Sequence, residues 1–210
     1  MIPTFPVYLF DIDGTLLESA PDICSAVQTV LSTTRQNNVP DSYLETFIGR
    51  HLFDLFEELL PEYTPEQNDQ LLADYRAVYL EAGHKRTKLY PGVAEALGKL
   101  GGRKTTATTK GTPTARHVLD LFGLLPYFDH VQGTDGFPSK PKPDVIFKAM
   151  EALGAKSEEC LLVGDSGPDM EAGRSAGVKI CGVRYGYGNL GEMARWEPDY
   201  WIDYPMQLVE

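Results

Sequence analysis

The chain opens with Val7 to Phe10, a short unbroken apolar run that stops at Asp11. Its length fits a buried strand carrying a carboxylate at its C-terminal end. Ser19-Ala20-Pro21-Asp22 follows as a helix start, with a serine to cap, a proline in the first turn and an early acid. Ile23, Val27, Val30 and Leu31 then recur at helical spacing, and to about Ala82 the pattern stays helical. Leu52, Leu55, Phe56, Leu59 and Leu60 share one face that breaks at Pro61. Leu71, Leu72, Tyr75, Val78 and Tyr79 share another after Pro65. No strand pattern interrupts this stretch, which predicts a small all-helical unit inserted after the first strand.

Beyond Tyr90-Pro91-Gly92 the texture becomes alternating helix and strand. Helices are predicted at Val93 to Leu100, from Thr112-Pro113 to Phe122, at Asp144 to Leu153 and at Asp169 to Ala176. Strands are predicted at Lys104 to Thr108, Val131 to Thr134, Cys160 to Val163 and Val178 to Val183, with a last edge strand at Tyr200 to Ile202. Strands alternating with helices of this length imply an α/β fold, a doubly wound parallel sheet with helices on both faces. The expected division is a core of residues 1–17 and 86–210 with a helical domain, 18–85, inserted into it.

Composition narrows the class. Of 210 residues, 42% are hydrophobic and 23% charged, an ordinary globular balance. No apolar run approaches the ~18 residues of a membrane span, and the apolar start is too short for a signal-peptide core. A cytoplasmic protein with no membrane partner is expected, a monomer or homodimer. Cys24, Cys160 and Cys181 are odd in number, widely spaced and form no C-x-x-C pair, as small core residues in a reducing compartment would. The net charge of −11 repels polyanions, so nucleic acid is not an expected partner. The same field opposes any small anionic ligand, so a site for one must be built locally from a cation, a lysine and backbone N–H groups.

Four segments carry candidate chemistry. In Asp11-Ile12-Asp13-Gly14-Thr15, two carboxylates two residues apart lie on one side of an extended strand and repel each other, an arrangement that suits a cation or a catalytic cycle. An acidic turn after a strand is the plainer alternative. In Gly164-Asp165-Ser166-Gly167-Pro168-Asp169 a second buried strand ends on an acid just before a helix. Ligands of open α/β sheets bind beyond the carboxyl ends of the strands, where Asp11 and Asp165 would offer hard oxygens to Mg²⁺. Asp169 also reads simply as a helix-start acid. Thr108 offers a hydroxyl and neighbouring N–H groups for a phosphate, and Lys140, in Ser139-Lys140-Pro141-Lys142-Pro143, offers a charge; singly, each is ordinary.

Taken in order, these segments resemble the haloacid dehalogenase superfamily: D-x-D-G-T at Asp11 to Thr15, strand-then-threonine at Thr108, K-P-x-P at Lys140 to Pro143, and G-D-S-x-x-D at Gly164 to Asp169. The helical insert looks like the family's cap. Thr109 departs from the asparagine common after the threonine. The resemblance implies that Asp11 is a nucleophile forming an aspartyl phosphate and that Mg²⁺ is held by Asp11, the Asp13 carbonyl and Asp165. It also implies that Asp13 is the acid and base, that Thr108, Thr109 and Lys140 bind phosphate, and that Asp169 and Ser166 support them. D-x-D sets the chain apart from dehalogenases, and the absence of lysine from Glu18 to His84 sets it apart from phosphonate-cleaving members that use a cap lysine.

Ser19 to Ile23, Gly182 to Gly188 and Pro198-Asp199-Tyr200 resemble phosphoglycolate phosphatases, with pyrophosphatases and nucleotidases sharing parts. The expected reaction is hydrolysis of a small phosphorylated metabolite. A β-phosphoglucomutase-like mutase is the main alternative, and a non-enzymatic phosphoacceptor or binding protein a remote one. Ile48-Gly49-Arg50-His51 is the cap segment expected to face the site. There Arg50 is either a bidentate grip on a substrate carboxylate or an exposed helix-start arginine.

Overall fold

Four consecutive residues, Val7 to Phe10, are buried on both sides, so their alternation feeds two different apolar layers. In the structure, a computed structural model that describes residues 2–210, this run is strand β1 (Val7–Phe10). Tyr8 and Phe10 point into one cluster, and Val7 and Leu9 into the other. Strands β4 (Arg103–Thr106), β5 (Cys160–Gly164), β6 (Lys179–Val183) and β7 (Tyr200–Ile202) join β1 in a five-stranded sheet of order β4-β1-β5-β6-β7, every pairing parallel. A one-residue slip of β1 would exchange both layers at once, so its register is strongly specified.

Helices α7 (Asp144–Leu153) and α8 (Gly167–Ala176) cover the Val7 and Leu9 face. On the other face lie α5 (Val93–Lys99), α6 (Thr112–Leu121) and α1 (Ala20–Leu31). Between β2 (Leu17–Glu18) and β3 (Lys88–Leu89), a short antiparallel pair, the chain runs through α1, α2 (Asp41–Leu44), α3 (Leu52–Leu59) and α4 (Pro65–Glu81). Thr64 and Gln67 cap α4 reciprocally, with Pro65 in its first turn. Leu55, Phe56, Leu72 and Tyr75 of this stretch join the same apolar cluster as Tyr8 and Phe10. A short α9 (Leu190–Ala194) precedes β7. Among the described residues no helix is long and apolar enough to cross a membrane.

Two expectations need correction. Val131 to Thr134 is not a strand. It runs beside the edge strand β4 but is tied to it by hydroxyls: Thr106 Oγ1 donates to the Gln132 carbonyl (2.9 Å) and accepts from the Gln132 N–H (2.8 Å). Thr134 Oγ1 donates to the Thr108 carbonyl at 2.9 Å. These hydroxyl bonds stand among isolated backbone ones, Asp129 N–H to the Lys104 carbonyl (2.9 Å) and Thr108 N–H to the Gln132 carbonyl (3.5 Å), so no continuous ladder forms and β4 remains the edge. Ser19 does precede α1, but its hydroxyl does not cap the helix; it donates to Asp13 instead. Asp22 in the first turn of α1 accepts from the Thr87 N–H (2.6 Å), the Thr87 hydroxyl (2.7 Å) and the Arg86 N–H (2.9 Å), tying the start of the helical segment to its exit.

Candidate active site

Register decides what meets at the sheet edge. Phe10 of β1 stands level with Thr106 of β4 and Val163 of β5, so the residues just past each strand emerge side by side. Those residues are Asp11 from β1, the Ala107-Thr108 turn from β4 and Asp165 from β5. The Asp11 N–H donates to the Val163 carbonyl (3.0 Å), which carries the alignment one residue further. Gly14, at φ +84°, turns the chain away directly over Asp165; a Cβ there would lie 2.1 Å from Asp165 Oδ2.

Oxygens of Asp11, Asp165 and Asp169 lie within 4.8 Å of one another, all three residues buried. Lys140 enters from the loop before α7, and its fully buried ammonium donates to Asp11 Oδ1 (2.8 Å) and Asp169 Oδ1 (2.5 Å). The other Asp169 oxygen accepts from the Ser166 N–H (3.1 Å) and hydroxyl (2.5 Å), closing a capping box on α8. Asp169 is thus both a helix-start acid and the group that fixes Lys140. Asp165 accepts from the Thr15 hydroxyl (3.1 Å) and the Tyr187 N–H (2.8 Å).

Three acids against one lysine leave charge uncompensated. Burial pushes the Asp11 carboxyl up to about 7; Lys140 opposes the rise, while Asp169 and Asp13 add to it. Asp165 is raised well above the usual carboxylate range by burial, then by Asp11 and Asp169. Burial alone would lower Lys140, but Asp11 and Asp169 outweigh it and hold the ammonium charged. Among the described residues, Asp11 Oδ2 is buried with no hydrogen-bond partner. An orphaned oxygen in an acidic pocket fits a hard divalent cation, which would satisfy it and ionise its neighbours.

Asp13 is turned differently. Its carboxylate accepts from Ser19 Oγ (2.5 Å) and forms an ion pair with Lys110 Nζ (3.0 Å). Thr108 is buried, and its hydroxyl accepts from the Lys110 N–H at 3.3 Å. Thr109, Lys110 and Asp13 line a cleft of about 60 Å³ together with Ile48, Arg50, His51 and Arg76. The Arg50 guanidinium sits 4.4 Å from the centre of the Phe47 ring, solvent-exposed at the cleft just before α3. Gly49 beside it (φ +88°) packs on the core: a Cβ there would meet Ser166 at 3.0 Å.

Sequence reasoning singled out Asp11, Asp165, Lys140, Asp169 and Ser166, which meet here. It missed Lys110, whose signal was its place two residues past Thr108 at the same sheet edge. It also missed Arg76, the place of Tyr79 beyond its helix face, and the contact of Tyr187, within the Gly182 to Gly188 segment, with Asp165. The three cysteines are buried and free, with burial raising each thiol, Cys24 to about 12.

A parallel sheet whose central strands end in buried acids beside a buried lysine fits a class of hydrolases. The chain belongs to the haloacid dehalogenase-like hydrolases, whose family model matches residues 8–183. Within that family it is a phosphatase of the phosphoglycolate phosphatase-like kind. It is 33% identical over 208 residues to a phosphoglycolate phosphatase of Aquifex aeolicus, covering 97% of this chain and 95% of the relative. It is 35% identical over 196 residues to the pyrophosphatase PpaX of Halalkalibacterium halodurans, covering 91% and 89%. A predicted phosphatase from Clostridium acetobutylicum, known by crystal structure, superposes with a TM-score of 0.89 at 31% identity over 98% of this chain and 97% of that one.

Proposed function

We propose that this phosphatase is a Mg²⁺-dependent phosphomonoesterase for a small anionic substrate, 2-phosphoglycolate first, and that it works through an aspartyl phosphate on Asp11. The observation that carries the reading is Asp11 Oδ2, a buried oxygen left unpartnered at the sheet edge beside Asp165 and Lys140. Asp11, Asp165 and the Asp13 carbonyl would hold Mg²⁺, which supplies charge neutralisation to the phosphoryl oxygens.

The rest belongs to the chain. An Asp11 oxygen attacks phosphorus as the bond to the leaving oxygen breaks, and Asp13 gives that oxygen its proton. Water then attacks the aspartyl phosphate, returning a proton to Asp13 and releasing phosphate. Lys140, locked by Asp169, neutralises charge at Asp11, while Thr108 and Thr109 offer hydroxyl and N–H groups to the phosphoryl oxygens.

Residues 18–85 would act as a cap over a core of 1–17 and 86–210; support comes from Gly49 packed on Ser166. Substrate choice would fall to the cleft between them, where Arg50 and Arg76 face a volume suited only to a small molecule. A phosphoglycolate phosphatase and a pyrophosphatase stand among the relatives, and both substrates carry a second anionic group, so pyrophosphate is the second reading. Three free buried thiols support a reducing, cytoplasmic setting.

The test is phosphate release from 2-phosphoglycolate, pyrophosphate and glucose 1-phosphate, in Mg²⁺ and in EDTA. Phosphoglycolate is expected to lead, with release dependent on Mg²⁺ and lost in Asp11→Asn. Equal release in EDTA removes the metal role, and near wild-type single turnover in Asp11→Asn removes the nucleophile. Glucose 1-phosphate consumed without free phosphate would indicate the mutase.

A further inference from the structure

The Asp13 carboxylate is gripped from both ends of the helical segment. Ser19, at the entry to α1, donates to Oδ1 at 2.5 Å. Lys110 pairs with Oδ2 at 3.0 Å, and the same ammonium donates to the Tyr79 hydroxyl at 3.2 Å and sits 4.4 Å from the centre of the Tyr79 ring. Tyr79 lies near the end of α4 and is fully buried. Its ring cannot swing away, because Tyr75 stacks on it (5.5 Å, 17°) and His84 meets it edge-on (4.4 Å, 80°). Lys110 is itself only 7% exposed at its side chain.

We infer that Lys110 is a positioning residue for Asp13, and that Tyr79 holds Lys110 in place for that task. The inference rests on the proposed acid role of Asp13 and adds the device that orients it. When a proton passes from Asp13 to the leaving oxygen, negative charge develops on the carboxyl group 3.0 Å from the Lys110 ammonium. An ammonium fixed there stabilises that charge without reorganisation. Tyr79 belongs to the segment that closes the cleft, so the acid is complete only when the segment sits where it sits here. Lys110 also lines the cleft, which makes a direct grip on substrate the competing role to be separated.

Leaving-group dependence separates them. An alkyl phosphate expels a strongly basic oxygen that needs its proton, whereas p-nitrophenyl phosphate expels a weakly basic one that needs it far less. The experiment measures kcat/KM of the full chain with Mg²⁺ on 2-phosphoglycolate, glycerol 2-phosphate and p-nitrophenyl phosphate. The variants are Lys110→Met, Lys110→Arg, Tyr79→Phe and Asp13→Asn.

In Lys110→Met the loss on both alkyl esters is expected to exceed the loss on p-nitrophenyl phosphate at least tenfold, as in Asp13→Asn. Lys110→Arg should recover part of that selective loss. Tyr79→Phe, nearly isosteric and so the safer fold, should show it in weaker form. A Lys110→Met loss equal on all three esters, with Asp13→Asn still selective, overturns the inference and leaves the acid role of Asp13 standing. A loss confined to 2-phosphoglycolate makes Lys110 a substrate-carboxylate contact and likewise overturns it. If Asp13→Asn itself shows no selectivity, the acid role fails and the inference falls with it.

Discussion

Replacing Asp11 with asparagine keeps the side chain's shape and removes one titration, so the difference in stability between the two proteins reports chiefly on that carboxyl. Burial raises Asp11 from 3.8 to about 7 in the folded, metal-free protein. Between those values the native state holds a proton that the unfolded chain has released. Bound protons are then more numerous in the native state, so stability falls as pH rises. The slope approaches 1.4 kcal/mol per pH unit, about 4 kcal/mol across the window.

His51 and His84, lowered by burial, titrate in part of the same range with the opposite sign, but both proteins share them and they cancel. Asp165, raised in part by Asp11, would be relieved in the variant, which adds to the effect in the same direction. The lost bond to Lys140 shifts the whole comparison and leaves its pH dependence intact. The assay is thermal unfolding of both proteins in EDTA from about pH 4 to pH 8. The melting temperature of the wild type should fall relative to Asp11→Asn by about 10 °C over that range, given 2–4 °C per kcal/mol for a chain this size. Saturating Mg²⁺ should abolish most of the trend, because the ionised carboxylate is the form a cation binds. A difference that stays flat from pH 4 to pH 7 in EDTA would refute the argument that Asp11 is buried without sufficient compensation.

Lys140→Met leaves Asp11 and Asp169 buried without their shared ammonium; it should cost about 3–5 kcal/mol near pH 7 in chelator and abolish phosphate release, and a stable, active variant would contradict the site's electrostatics. Gly49→Ala must hold φ +88° and set a Cβ 3.0 Å from Ser166, so catalytic efficiency should fall about tenfold or more while global stability drops only ~1 kcal/mol; equal kcat/KM in the two proteins would show that the contact with Ser166 has no part in closure.

Several features were legible in the sequence because they depend on neighbours a few residues away. Val7 to Phe10 is unbroken and apolar, so it had to be a buried strand; Asp11 follows it, so it had to emerge at the strand's end. The same logic placed Asp165 after β5 and fixed Tyr200 to Ile202 as an edge strand. The four spaced motifs named the family before any contact was known. Other features are decided between distant segments, where periodicity says nothing. Val131 to Thr134 has the composition of a strand, yet Thr106 offers it a hydroxyl and the backbone ladder never forms. Ser19 has the position of a cap, yet Asp13 claims its hydroxyl. Lys110 and Tyr79 lie 31 residues apart and meet only because α4 is packed over the sheet edge. A side chain's partner in a folded protein is set by which buried charge most needs satisfying, and only the tertiary packing brings that charge within reach.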